Sequence, residues 1–523
     1  MKRFKKILAM LLAVVMVLSL AACGSKAPAD DTKPVEVKPA DTENQEAGTA
    51  EREHVELVLY NYMNADYPGW KETQEAINVY LKEKLNTTIE WHTCVGADYN
   101  SLVSTHVSSG GYFDLALSRP DMFDFMTFVA LGAFYPIDDL VDEYLPGTKE
   151  QVPEAAWDAM QYEGHQYGVP LPRDSAVNFN IQVNQTMLDD LGLTVPEYRT
   201  AWDLVDWIYE AKAARDAKYP EKKDQTFLKD VPTDLRAYYT VDYHIARLIG
   251  INVPGAEGFA SQGDKAFCTY LTDEYRVWAK QMNQFAKDNI VPFDPTSFDT
   301  DNVLFKAGEF LFKPAQGTIF LDENINMPGF KTTLHRAKDG VLATPNSQNG
   351  YVISANSKYP ERALEVVELF NTDPYVATML HFGPENIGWT DTDNDGIIEP
   401  GAVNDAPVGE RYYWHWYGWN LGGLTVSKLP TGYPANFVDL LKEMNNSAIA
   451  SPAMGFSFDS KSVANELAAV QNVVAEYENT IKYGQYDDVD KIVDEFVAKL
   501  KANGIEKIVD EFNAQLDAFY AAK

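Results

Sequence analysis

VELVLYNY at Val55–Tyr62, TTIEWHTC at Thr87–Cys94 and FDLALS at Phe113–Ser118 are three short runs rich in β-branched and aromatic residues. Between the first two, a stretch from about Gly69 to Leu85 places Trp70, Ile77, Tyr80 and Leu81 on one helical face. Between the second and third, a further helix is expected from about Asp98 to Val107. A β-α-β-α-β order calls for a parallel sheet with crossover helices, because parallel neighbours cannot be joined by a tight turn. In such sheets ligands sit beyond the carboxyl ends of the strands. Those ends are Asn61–Asp66, Gly96–Asp98 and Ser118-Arg119-Pro120. Tyr62, Asn64, Asp66 and Arg119 are therefore candidate ligand contacts.

Downstream, helices with acidic faces are expected over Asp121–Ala133, Ile137–Tyr144 and Pro153–Met160. Tyr162–Gly168 reads as a hairpin with Gly164 at the turn. Gly168–Ser175 contains Pro170 and Pro172, which hold it extended. A second α/β region follows: a strand at Val177–Val183, a helix at Gln185–Leu191 and a capped helix near Thr200–Ala217. Gly350–Ala355 reads as a strand and Pro360–Phe370 as a helix. The C-terminus is helical, with amphipathic stretches at Val463–Tyr483, Asp487–Ala502 and Ile505 to about Tyr520. KIVDEF occurs at Lys491–Phe496 and again at Lys507–Phe512, which reads as two helices meeting similar demands rather than as a repeat array.

Upstream, residues 1–22 have a basic start (Lys2, Arg3, Lys5, Lys6) and an apolar run from Ile7 to Leu20. The run is short for a membrane span, which needs about 20 residues. With Leu20-Ala21-Ala22-Cys23 behind it, it resembles a bacterial export signal ending in a lipobox, with Cys23 as the lipidated mature N-terminus. Residues 24–53 hold no aromatic residue and are rich in Pro, Ala, Asp, Glu and Thr, so they are expected to be a disordered tether.

The whole chain has 523 residues, 46% hydrophobic and 23% charged, which is globular composition. Only the N-terminus carries a long apolar run, so a polytopic membrane protein is excluded. The net charge is −33, which argues against nucleic acid and against charge-driven binding to an anionic membrane. Cys94 and Cys268 are far apart in sequence and are compatible with a disulfide or with two buried thiols.

Two local stretches carry chemistry. Arg411–Asn420 (RYYWHWYGWN) holds six Tyr or Trp residues in ten. Flat aromatic faces stack on the apolar faces of ring-shaped ligands, so Trp414, Trp416, Trp419 and Asn420 are candidate ligand contacts, against the alternative of a core strand. DTDNDGIIE at Asp391–Glu399 matches the front half of an EF-hand-type calcium loop. Asp391, Asp393 and Asp395 would supply carboxylates, Gly396 the tight turn, Ile397 a carbonyl and Glu399 a closing carboxylate, while the usual twelfth-position Glu is replaced by Ala402. A polar Asp-Gly turn is the alternative. HExxH, GxSxG and GxxxxGK[ST] motifs are absent, and no catalytic cofactor is expected.

GAFYPIDDL at Gly132–Leu140, QVPEAAWDA at Gln151–Ala159, HQYGVPLPRDSAV at His165–Val177, ISANSKYPERALEVVELFNTDP at Ile353–Pro374 and LKANGIEKIVDEFNAQLDAFY near the C-terminus follow the signal and tether in order. Together they resemble the large extracellular solute-binding lipoproteins, family 1, oligosaccharide type, of Gram-positive ABC importers. The resemblance implies an α/β type II periplasmic-binding-protein fold of two lobes with a hinge. It implies a first lobe of 54–171 plus 297–349, a second of 175–293 plus 350–523, and a hinge crossing at Gly168–Asp174. It adds Arg173 and Asp174 as ligand-site candidates, against the alternative of a salt bridge between the lobes with no ligand role, and an ABC permease as partner to a monomeric, lipid-anchored, non-enzymatic binder of oligosaccharide. A binding protein for a peptide or another solute, and a secreted glycoside hydrolase, are the alternatives.

Overall fold

The computed structural model describes residues 52–522 except 64–65, 96–97, 120–124, 177–178, 229–233, 293–304, 306, 317–328, 339, 343–347, 406–410, 415–420 and 434. The export signal, Cys23 and nearly all of the tether lie outside the described residues.

The chain begins β1 (Val55–Met63), α1 (Trp70–Leu85), β2 (Thr87–Val95), α2 (Asp98–Ser108) and β3 (Leu115–Ser118), and reaches β4 (Gly168–Pro170) through short helices and a hairpin. It continues with β5 (Phe179–Asn184), α3 (Val205–Lys218), β6 (Val241–His244), β7 (Ile249–Asn252), β8 (Phe267–Cys268), α4 (Asp273–Lys287), β9 (Phe312–Gln316) and β10 (Thr332–Arg336). It returns through β11 (Gly350–Ile353), α5 (Pro360–Thr372) and α6 (Pro374–Phe382), and ends with α7 (Phe437–Ser447), α8 (Ala464–Lys482), α9 (Val489–Ala502) and α10 (Ile505–Ala522).

The first sheet has the order β2-β1-β3-β11-β4. β1 pairs in parallel with β2 and with β3, as the β-α-β-α-β order requires. α1 forms because Trp70, Thr73, Ile77 and Leu81 fall on one stripe that the sheet buries, and it ends at Asn86 in the left-handed conformation. Two antiparallel strands, β11 and β4, extend the sheet beyond β3.

The lobe boundaries differ from expectation. β9 and β10 flank β5 in the second sheet, with Phe312 and Thr333 both opposite Val183. The strands within 297–349 that flank β5 therefore belong to the second lobe. β11 instead joins β3 and β4, and Val366, Val367, Phe370, Val376 and Leu380 of α5 and α6 pack into the first core. The two assignments are exchanged because a four-residue apolar strand carries no mark of the sheet it will join; the partner strands decide that.

The rest of 350–523 divides. Phe382, Trp389, Ile398, Trp414, Phe437 and Leu441 make a third, smaller core. The C-terminal helices close the second core: Phe496, Leu500, Ile508 and Phe512 pack with Tyr275, Trp278 and Phe285. Both copies of KIVDEF bury their phenylalanine, Phe496 and Phe512, in that core. Cys94 and Cys268 are both free thiols, and burial pushes Cys268 up to about 12.

Candidate ligand site

β1 ends with Tyr60 and Tyr62 on one face of the strand and Asn61 on the other, because successive side chains alternate. Tyr62 stands edge-on to Tyr99, with ring centroids 6.2 Å apart. Arg119, directly after β3, lays its guanidinium over the Tyr62 ring, 4.5 Å from the centroid. Two of the predicted strand-end residues therefore meet, and they form one cation–π unit. Asp66 is exposed in the loop after β1. Asn64 lies outside the described residues.

On the opposite face, the Asn61 Oδ1 accepts a hydrogen bond from Thr93 Oγ1 at 2.7 Å. Trp70 Nε1 donates to Thr93 Oγ1 at 2.8 Å, and the Trp70 ring stacks on Tyr413 with centroids 5.4 Å apart. Tyr413 is fully buried and its hydroxyl donates to the Leu380 carbonyl. The aromatic run beginning at Arg411 thus starts as packing. Of the two readings of the run, core or cleft, Trp414 takes the core: it is buried against Phe382, centroids 4.5 Å apart, and Arg411 caps its ring at 4.7 Å. The reason is local, since the third core offers it a closed apolar socket. Trp416, Trp419 and Asn420 lie outside the described residues.

Arg173 and Asp174, expected at the ligand, are 3% and 2% exposed and face protein instead. Arg173 Nε donates to Asp174 Oδ1 at 3.3 Å, and Arg173 Nη1 donates to Asn349 Oδ1 at 3.0 Å. Asn349 Nδ2 donates in turn to the Ser118 carbonyl at 3.2 Å, one residue before Arg119. Burial lowers the Arg173 pKa; Asp174 beside it opposes that, and nearby Arg119 adds to it. The pair is therefore joined through Asn349 to the end of β3. Asn349 and Asn445, which also binds this segment, were not singled out from the sequence. An isolated asparagine in a loop or near a helix end carries no signal of its partners.

The acidic loop brings three of its candidate ligands together. Carboxylate oxygens of Asp391, Asp393 and Asp395 all lie within 4.8 Å of one another. Asp391 Oδ1 and Oδ2 accept the backbone N–H groups of Asp395 and Gly396 at 3.1 and 3.2 Å. Gly396 has φ +87°, where a Cβ would be strained. Ile397 and Glu399 lie on the following strand, Ile397–Pro400. Lys428 Nζ lies 2.5 Å from Asp391 Oδ2 and, as the largest influence, holds that carboxyl below the usual carboxylate range.

No helix among the described residues is long and apolar enough to cross a membrane. Residues 452–521 match the family described as "Domain of unknown function (DUF3502)". The chain is 24% identical over 457 residues, 86% of its own length and 87% of the relative's, to a "Carbohydrate ABC transporter substrate-binding protein" of Streptococcus pneumoniae. It superposes on the crystal structure of the N-glycan transport solute binding protein NgtS of Streptococcus pneumoniae with TM-score 0.74 at 20% identity, covering 89% of this chain and 99% of that one. The NgtS complex with Man1GlcNAc gives TM-score 0.66 at 19% identity over the same shares. Across most of its length the chain is similar to carbohydrate ABC-transporter substrate-binding proteins, and its α/β fold is that of the solute-binding proteins.

Proposed function

We propose that this chain is the substrate-binding component of an ABC importer, which captures an oligosaccharide outside the cell and hands it to a membrane permease. The observation that carries this is full-length similarity: a solute-binding relative is matched over 87% of its length, and a solved one over 99%. The strand-end unit of Tyr62 and Arg119 supports it, since a guanidinium held in place by a ring offers paired donors to sugar hydroxyls. The protein binds and releases without turnover. Cys23 carries the lipid that keeps it on the outer face of the membrane, and it works as a monomer. The loop Asp391–Glu399 takes a structural calcium through Asp391, Asp393, Asp395, the Ile397 carbonyl and Glu399, with Lys428 yielding its place at Asp391.

A thermal-shift screen with oligosaccharides, Man5GlcNAc among them, and with peptides tests the reading, because a ligand that binds only the folded state raises Tm. A rise with oligosaccharide and none with peptide is the expected result. The reverse pattern favours a peptide-binding protein, and released products on incubation favour a hydrolase.

A further inference from the structure

Among the described elements the chain passes between its first and second cores at three places, and the first two are tied together at Arg173. The first passage lies between β4 and β5, the second between β10 and β11, and the third follows α7. The second and third are paired with each other, Val341 opposite Ile449 and Leu342 opposite Ala450 in parallel register. The first is tied to the second by Arg173 with Asn349, and by the Leu171 N–H to the Asn349 carbonyl at 3.1 Å. The third is anchored to the second lobe where Ser451 Oγ donates to Asp242 Oδ2 at 2.5 Å.

Asn445 closes this arrangement. It sits on the last turn of α7 and is 5% exposed. Its Oδ1 accepts the Ser175 N–H at 2.9 Å and the Ala176 N–H at 3.3 Å, and its Nδ2 donates to the Arg173 carbonyl at 2.6 Å. One side-chain amide therefore grips the backbone of the first passage three times. Asparagine suits this because it offers an acceptor with two lone pairs and a donor in one rigid plane. A hinge is a few residues that absorb backbone rotation. Gripping both ends of 173–176 restricts rotation within it.

We propose that Asn445 is a hinge-positioning residue. Resting on the solute-binding reading above, it sets ligand affinity without touching ligand, by fixing the angle at which the two lobes present their halves of the site.

The test uses the full chain, with Man5GlcNAc as probe. Asn445→Ala should raise Kd about tenfold, increase amide hydrogen exchange at Ser175 and Ala176, and broaden the inter-lobe distance distribution measured by pulsed dipolar spectroscopy on the free protein. Asn445→Asp keeps an acceptor for both N–H groups but sets a buried carboxylate oxygen against the Arg173 carbonyl in place of the donor, so its Kd should rise about as much as that of Asn445→Ala. If Asn445→Ala does not fold, the Asp variant carries the same measurements. Wild-type exchange at these two amides, a wild-type distance distribution and a wild-type Kd in a folded variant would overturn the clamp. If the wild-type protein binds no oligosaccharide, the transport reading falls, while the exchange and distance measurements still decide the clamp.

Discussion

The Arg119 guanidinium rests over the Tyr62 ring at 4.5 Å, so the carboxyl ends of β3 and β1 are joined by one cation–π contact. This contact turns a strand residue and a loop residue into a single platform. Arg119 lies within electrostatic reach of the enclosed Arg173 and follows the Ser118 that Asn349 binds. The platform is thus continuous with the passages between the lobes.

Arg119→Ala should weaken oligosaccharide binding about tenfold or more, since losing hydrogen bonds to a charged group costs about 1.5–3 kcal/mol. The melting temperature should fall by only a few degrees, because a cation–π contact between a half-buried guanidinium and a buried ring is worth about 1–2 kcal/mol. Calorimetric titration of the folded variant checks this. Wild-type affinity would place the sugar elsewhere.

The acidic loop makes a prediction of its own. Three carboxylates held within 4.8 Å repel one another unless a cation joins them. Chelation should lower Tm by a few degrees and calcium should restore it, and Asp393→Ala should abolish the response. A wild-type melting curve indifferent to chelator and to calcium would leave the loop as an Asp-Gly turn braced by Lys428.

Acid stability should depend on Asp234. Partial burial acts to raise its pKa, but Arg236 and Arg247 outweigh it and bring the group down to about 2. A depressed carboxylate contributes stability that is fully present above its unfolded pKa of about 3.9 and is lost as pH falls through the folded value. The window here is about pH 4 down to pH 2, and the contribution is on the order of 2 kcal/mol. Asp234→Asn should therefore lower Tm at pH 7 and narrow the gap between variant and wild type as the pH approaches 2. A Tm difference that is the same at both ends would remove Asp234 from the acid response.

The C-terminal family segment is part of the second lobe rather than an appendage. Phe512 is fully buried between Phe456 and Phe458, and the Asn513 side chain exchanges two hydrogen bonds with the Ala266 backbone, at 3.0 and 2.8 Å. Phe512→Ala should cost about 3–5 kcal/mol of stability, read from the shift in the urea midpoint. A loss under about 1 kcal/mol would mean that the helices do not close this core.

Much of the architecture was legible because its signals are local. The first three strands, α1 and α2 follow from apolar period and turn residues, and the structure has them within a few residues of their expected ends. The cap at the start of the helix near Thr200 and the Gly164 hairpin are legible for the same reason. The lobe that takes 297–349 was not, because membership of a sheet depends on partners far away in sequence. Whether Trp414 lines core or cleft is not legible for a related cause: a tryptophan looks the same in a socket and in a cleft, and only the neighbouring Phe382 and Arg411 distinguish them. Arg173 and Asp174 were recognised as a pair, but their enclosure depends on Asn349 and Asn445, which arrive from more than 170 residues downstream.

Isothermal titration of the purified wild-type chain with Man5GlcNAc and a panel of other oligosaccharides tests the central claim most directly. The account predicts saturable one-to-one binding of at least one of them with Kd on the order of 1 μM or tighter, about −8 kcal/mol, and no release of smaller sugars from the bound material. The absence of heat with every oligosaccharide while a peptide saturates the protein, or the appearance of hydrolysed product, would contradict it.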